Sequence, residues 1–147
     1  MVQPHTAPEG EQVVDTMIGL TRMSSLHRAI VAGGDRMELC LALRRRGFTR
    51  VAIATTWRLP RRQFSVGLVT AQDKLPDIEA ALNQMSPLLC ANAAVAVLIA
   101  SRESDFCLKV RGRLAQMGFR IEAGVRCQQG LVLSARRQGF GHIEKAA

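Results

Sequence analysis

The chain reads as one α/β domain, a three-layer sandwich whose mostly parallel sheet of about six strands is closed by a C-terminal antiparallel hairpin. Three observations predict this. Short β-branched and small apolar runs alternate with longer segments of helical periodicity. The composition is 48% hydrophobic with only 4% aromatics and no Tyr, so the core is built from Leu, Val, Ile, Ala and Met, which suits strands buried on both faces. The last two apolar runs are joined by Gln128-Gln129-Gly130, a connection short enough only for an antiparallel turn. At 147 residues there is room for a single core. Residues 1–10 read as a disordered N-terminus, 11–137 as the domain with its N-terminal helix, and 138–147 as a tail.

Thr6-Ala7-Pro8-Glu9 has the capping-box pattern, predicting a helix that runs to about Ser25 with Val13, Met17, Leu20 and Ser24 on one stripe. Ala29 to Ala32 is the first strand, Gly33-Gly34-Asp35 its turn, and Arg36 to Arg46 a helix that Gly47 ends by taking the left-handed conformation. Arg50 to Thr55 is the second strand and Phe64 to Thr70 the third. After a loop at Asp73 to Pro76, a helix from Asp77 carries Ile78, Leu82, Met85 and Leu89, and Pro87 should bend it or restart its last turn. Cys90 to Ala93 reads as a turn into Val95 to Ala100, the most apolar strand and the candidate for the sheet centre. Ser101 is placed to cap a helix from about Asp105, with Phe106, Val110, Leu114 and Met117 facing inward. Met117-Gly118-Phe119 repeats the device of Arg46-Gly47-Phe48, after which alternating residues from Arg120 to Cys127 and the run Leu131 to Ala135 form the hairpin.

The formal net charge of +8 comes mostly from arginine and favours phosphate-rich or acidic partners through long-range attraction. A stacking platform of exposed aromatics is poorly supplied by Trp57 and five Phe. Cys40, Cys90, Cys107 and Cys127 lie far apart in apolar contexts, without the spacing of a metal or redox motif, and read as buried thiols of a reducing compartment. Met1 to Gln12 lacks the apolar core of a secretory signal, and Leu88 to Ala100 falls short of a membrane span, so a cytoplasmic protein without membrane or metal partners is expected.

The element order, the turn Val31-Ala32-Gly33-Gly34-Asp35, the helix leading to Pro87 and the terminal hairpin resemble the class I S-adenosylmethionine-dependent methyltransferases, a Rossmann-like family, over Ala29 to Arg136. In that family a glycine-rich turn after the first strand lets the backbone approach the cofactor, and an acid ending the second strand accepts hydrogen bonds from the ribose hydroxyls. The resemblance implies S-adenosylmethionine as ligand and a crevice lined by Gly33, Gly34, Asp35, Thr55 and Thr70, with Asp73 in the loop after the third strand as a further candidate. Three departures stand out. The turn lacks a spaced Gly-x-Gly, and the second strand ends in Thr55-Thr56-Trp57 with no acid. The family also inserts elements between its second and fourth strands where this chain has only Trp57 to Gln63, which implies one strand fewer at that edge.

These features predict a small methyltransferase-like domain that is degenerate and without catalysis, or keeps only residual cofactor binding. The alternative is a basic accessory protein that holds nucleic acid or an acidic partner through Arg44, Arg45, Arg46, Arg50, Arg58, Arg61 and Arg62. The open sheet edge, with Trp57 and Leu59 beside it, could pair with a second copy. His5, His27 and His142 offer no general base: the first and last lie in the tails, and His27 sits at a helix-to-strand junction.

Overall fold

The computed structural model describes residues 9–54, 59–72, 74–101 and 103–138. In chain order it contains α1 (Glu9–Thr21), β1 (Ala29–Gly33), α2 (Arg36–Arg45), β2 (Val51–Ile53), β3 (Phe64–Gln72), α3 (Leu75–Met85), a 3-10 turn (Ser86–Leu88), β4 (Leu89–Ile99), α4 (Ser104–Gln116), β5 (Phe119–Cys127) and β6 (Gly130–Arg137). The six strands form one sheet in the order β2-β1-β3-β4-β6-β5. The first four are parallel, and β6 runs antiparallel to both its neighbours, as the short Gln128-Gln129 connection requires.

Alternation of side chains divides the core between the two faces. Ile30, Val95, Val97 and Ile99 point to the face covered by Ile78 and Leu82 of α3 and Val110 of α4. Val31, Leu68, Ala96 and Leu98 point to the other, against Val13 and Met17 of α1 and Leu43 of α2. Burial on both faces explains the unbroken apolar run Ala93–Ile99 of β4, which lies in the middle of the sheet as expected.

Four local expectations are corrected. α1 stops at Thr21 rather than near Ser25, because Arg22 turns to φ +55° and the amide of Met23 donates to the carbonyl of Ile18 at 3.1 Å, closing the helix. α3 begins at Leu75, ahead of Asp77, since Pro76 falls in the first turn, where its missing N–H is no loss. Cys90 to Ala93 is strand, not turn: β4 starts at Leu89, and the turn is Ser86–Leu88, around Pro87. β2 is only Val51–Ile53, shorter than the run that begins at Arg50, although the Ala54 amide still reaches the Val31 carbonyl at 2.7 Å.

Gly47 and Gly118 both have φ +91°, so the two helix-to-strand turns use one left-handed solution. At the first, the Phe48 amide donates back to Leu43 at 3.1 Å and Gly47 to Arg44 at 3.0 Å, satisfying carbonyls that the helix end leaves free. Cys40 and Cys127 are buried, whereas Cys90 and Cys107 are half-buried, and all four are thiols. No helix among the described residues is long and apolar enough to cross a membrane.

Candidate functional site

The carboxyl ends of the parallel strands bring four of the expected residues together, Gly33, Gly34, Asp35 and Thr70. Gly33 and Thr70 are register partners on β1 and β3, and the Thr70 side chain, 5% exposed, points into the turn that leaves β1. Its Oγ1 accepts the Asp35 amide at 3.3 Å and donates to the Ala32 carbonyl at 3.4 Å. Gly33 has φ +111°, a conformation that L side chains rarely adopt, and its carbonyl accepts from Nη1 of Arg36 at 3.0 Å. Gly34 and Asp35 are exposed. Asp35 stands at the N-cap position of α2, but its carboxylate makes no capping hydrogen bond. Thr55, Asp73 and Trp57 lie outside the described residues, as do Arg58, His5, His142 and the capping residues Thr6 to Pro8. His27 has a local role, its Nδ1 accepting the Ser24 amide at 3.0 Å.

Acids gather at this end for a structural reason. Glu38, Asp77 and Asp105 occupy the first turns of α2, α3 and α4, which all start where the parallel strands finish. Their charges complement the positive ends of the helix dipoles. Ser101 contributes less directly than expected, since Glu103 is the N-cap of α4 and Ser101 Oγ accepts the Glu103 amide at 3.2 Å.

The opposite end is basic. Val51, Ala29, Val66, Ala94, Arg136 and Arg120 lie side by side across all six strands, at the level where β1 and β2 begin; β3 and β4 start further out, at Phe64 and Leu89. Arg28 and Arg50 immediately precede that row, Arg61 and Arg62 lead into β3, and Arg137 follows Arg136. Arg44 and Arg45 end α2 at the same level, and Arg44 Nη2 donates to the Val51 carbonyl at 3.2 Å. Ion pairs among the described residues join Arg46 to Asp15 at 2.8 Å, Arg113 to Glu79 at 3.2 Å and Arg136 to Glu122 at 3.6 Å. Arg28, Arg50, Arg61 and Arg62 are exposed and have no carboxylate partner among the described residues.

Two of these arginines also have structural work. Arg137 lies over the Phe119 ring with its guanidinium 5.0 Å from the centroid, and its Nη2 donates to Ser86 Oγ at 2.6 Å and to the Ser86 carbonyl at 2.9 Å. Burial pushes its pKa down from the usual arginine range; the Cys90 side chain opposes that shift, and the like charge of Arg62 reinforces it. Arg28 lies over Phe64 at 5.2 Å and donates from Nη1 to Gln63 Oε1. Beside it opens a cleft of about 460 Å³ lined by Arg28, Arg50, Val51, Leu59, Pro60 and Phe64, together with Thr49 and Ala52. The crevice expected at Gly33 is at the other end of the strands. Leu59, expected beside an open edge, packs half-buried against the core on the α3 face.

The sequence pointed to the arginines of 44–62, but not to Arg28, Arg120, Arg136 and Arg137 as members of the same end. A signal was available: each flanks or ends a strand at the level where the parallel strands start.

No protein-family model matches the chain, and no curated protein matches it significantly. Solved structures do share its architecture. The release-factor-specific protein-(glutamine-N5) methyltransferase of Alicyclobacillus acidocaldarius matches with a TM-score of 0.53 and 19% identity, covering 94% of this chain and 99% of that one. The N-methyltransferase NodS of Bradyrhizobium japonicum, solved with S-adenosyl-L-homocysteine, matches with a TM-score of 0.60 and 12% identity over 88% of each chain. The [4+2]-cyclase SpnF matches at a TM-score of 0.62 and 12% identity, covering 88% of this chain and 82% of that one. The chain therefore has the Rossmann-like fold of the class I S-adenosylmethionine-dependent methyltransferases. A cyclase among the neighbours means that the fold by itself does not define the reaction.

Proposed function

We propose that this protein is a degenerate methyltransferase-like domain that performs no methyl transfer and holds S-adenosylmethionine only residually. The observation that carries the reading is the second strand. Two solved methyltransferases with this fold hold S-adenosylhomocysteine. In the family this chain resembles, a carboxylate at the end of the second strand holds the ribose. Here β2 is a three-residue edge strand followed by Ala54-Thr55-Thr56-Trp57, and no Asp or Glu occurs from Leu39 to Gln72. A threonine hydroxyl can accept hydrogen bonds, but it lacks the charge and the two oxygens that let a carboxylate take both ribose hydroxyls together.

The first strand supports residual binding. The positive φ of Gly33 keeps a Cβ away from the turn, so backbone can approach a ligand there, and Thr70 holds the turn in place. One half of the cofactor cradle fits and the other does not. Calorimetric titration with S-adenosylmethionine and S-adenosylhomocysteine tests the reading: dissociation constants in the millimolar range are expected, with Gly33→Val removing the remainder. Low-micromolar binding would overturn the residual-binding reading and reopen that of an enzyme.

A further inference from the structure

We propose that the end of the sheet where the parallel strands begin is a surface for single-stranded nucleic acid, with an unpaired base stacked on Arg28 and flanking phosphates held by Arg50, Arg61 and Arg62. This goes beyond the reading of the cofactor end and does not depend on it.

The first support is the distribution of charge. Arginine at the C-terminal turn of α2 is explained by the helix dipole, but Arg28, Arg50, Arg61 and Arg62 belong to no helix. They are exposed, and no carboxylate among the described residues neutralises them. Like charges placed close together repel, so an arrangement of this kind is relieved by a polyanion. Six strands spaced ~4.8 Å apart make this end roughly 24 Å wide, enough to meet several consecutive phosphates.

The second support is the shape beside Arg28. Its guanidinium is a held plane, backed by the Phe64 ring at 5.2 Å and tied at Nη1 to Gln63, while the residue remains exposed. Guanidinium planes and apolar walls are what splayed, unpaired bases stack against. The adjoining cleft of about 460 Å³ has such walls in Leu59, Pro60 and Val51, with Arg50 at its rim. A duplex keeps its bases paired and would leave the cleft empty, and an acidic peptide would use the charges but not the stacking plane. Both features together select a single strand.

The test is fluorescence anisotropy of the full chain with a labelled oligonucleotide of about a dozen nucleotides, titrated at several salt concentrations. With three arginines on phosphates and Arg28 stacked on a base, log K against log salt should have a slope of about −2. Arg28→Glu with Arg50→Glu should weaken binding by about tenfold or more. Arg111→Glu with Arg126→Glu imposes the same change in net charge away from this end and should weaken it less than about threefold. Arg28→Lys keeps the charge but loses the plane, and should weaken binding of the normal strand several-fold while leaving an abasic strand unaffected. Circular dichroism melts show which variants fold, and Arg28→Lys keeps the test decisive where the charge reversals do not. Equal losses in the two double variants would reduce the effect to net charge and overturn the proposal. So would absence of binding, or equal affinity for the abasic strand or for a poly-glutamate peptide of matched charge, the last indicating an acidic protein partner instead. Saturating S-adenosylmethionine should not change the affinity, which separates this outcome from that of the cofactor titration.

Discussion

The Thr70 hydroxyl shows how a single buried oxygen can hold a turn. It accepts the Asp35 amide and donates to the Ala32 carbonyl, joining the chain on either side of Gly33-Gly34. Thr70→Val keeps the shape but removes both hydrogen bonds to the turn, and should cost about 1 kcal/mol in urea denaturation. Ser134 is the opposite case. It is 2% exposed, and its Oγ has no hydrogen-bond partner among the described residues, so Ser134→Ala should stabilise the fold by about 1 kcal/mol, read as a rise in Tm. A fall in Tm would mean that the hydroxyl is satisfied. Arg137→Met removes the donors that tie β6 to Ser86 and Leu89, and should destabilise by about 2 kcal/mol. At this scale the Gly33 turn was legible from its dipeptide of glycines and the following Asp. The part played by Arg137 was not, because it depends on contacts with residues about fifty positions away in the chain.

At the scale of elements, Gly47 and Gly118 are matched turns that isolate a backbone effect. Both have φ +91°, and a Cβ added at either would meet nothing within 4 Å. Gly47→Ala and Gly118→Ala should therefore each cost about 1 kcal/mol through conformation alone. They belong to separate turns, so the double variant should show the sum to within about 0.5 kcal/mol. A markedly smaller cost at one of them would mean that its helix can end in another way. Most elements were legible because burial on both sheet faces writes long apolar runs, and because left-handed glycines mark helix ends. The misreadings occurred where local turn signals met tertiary demand. Asn92 and the small residues around it suggested a turn, yet Cys90 to Ala93 is drawn into β4, which continues to Leu89 beside Phe64 of β3. Pro76 suggested a loop, yet a first helical turn accommodates it.

Across the whole molecule, charge is divided between the two ends of the sheet. Acids sit in the first turns of the helices that start where the parallel strands finish, and arginines crowd the opposite end. Composition revealed the excess of positive charge but not its placement, because that follows from register: β6 runs backward and carries Arg136 and Arg137 to the level of Ala29 and Val51. We propose that the cofactor end, around Gly33 and Thr70, is largely silent, while the opposite end carries the binding surface. Amide chemical-shift mapping tests this most directly, with S-adenosylhomocysteine and a single-stranded oligonucleotide added in turn to one labelled sample. Negligible shifts are expected at Gly33, Gly34, Asp35 and Thr70 with micromolar S-adenosylhomocysteine, and clear shifts at Arg28, Arg50, Arg62 and Phe64 with the oligonucleotide. Saturable shifts around Gly33 at micromolar S-adenosylhomocysteine, with the strand-start end unmoved by nucleic acid, would contradict it.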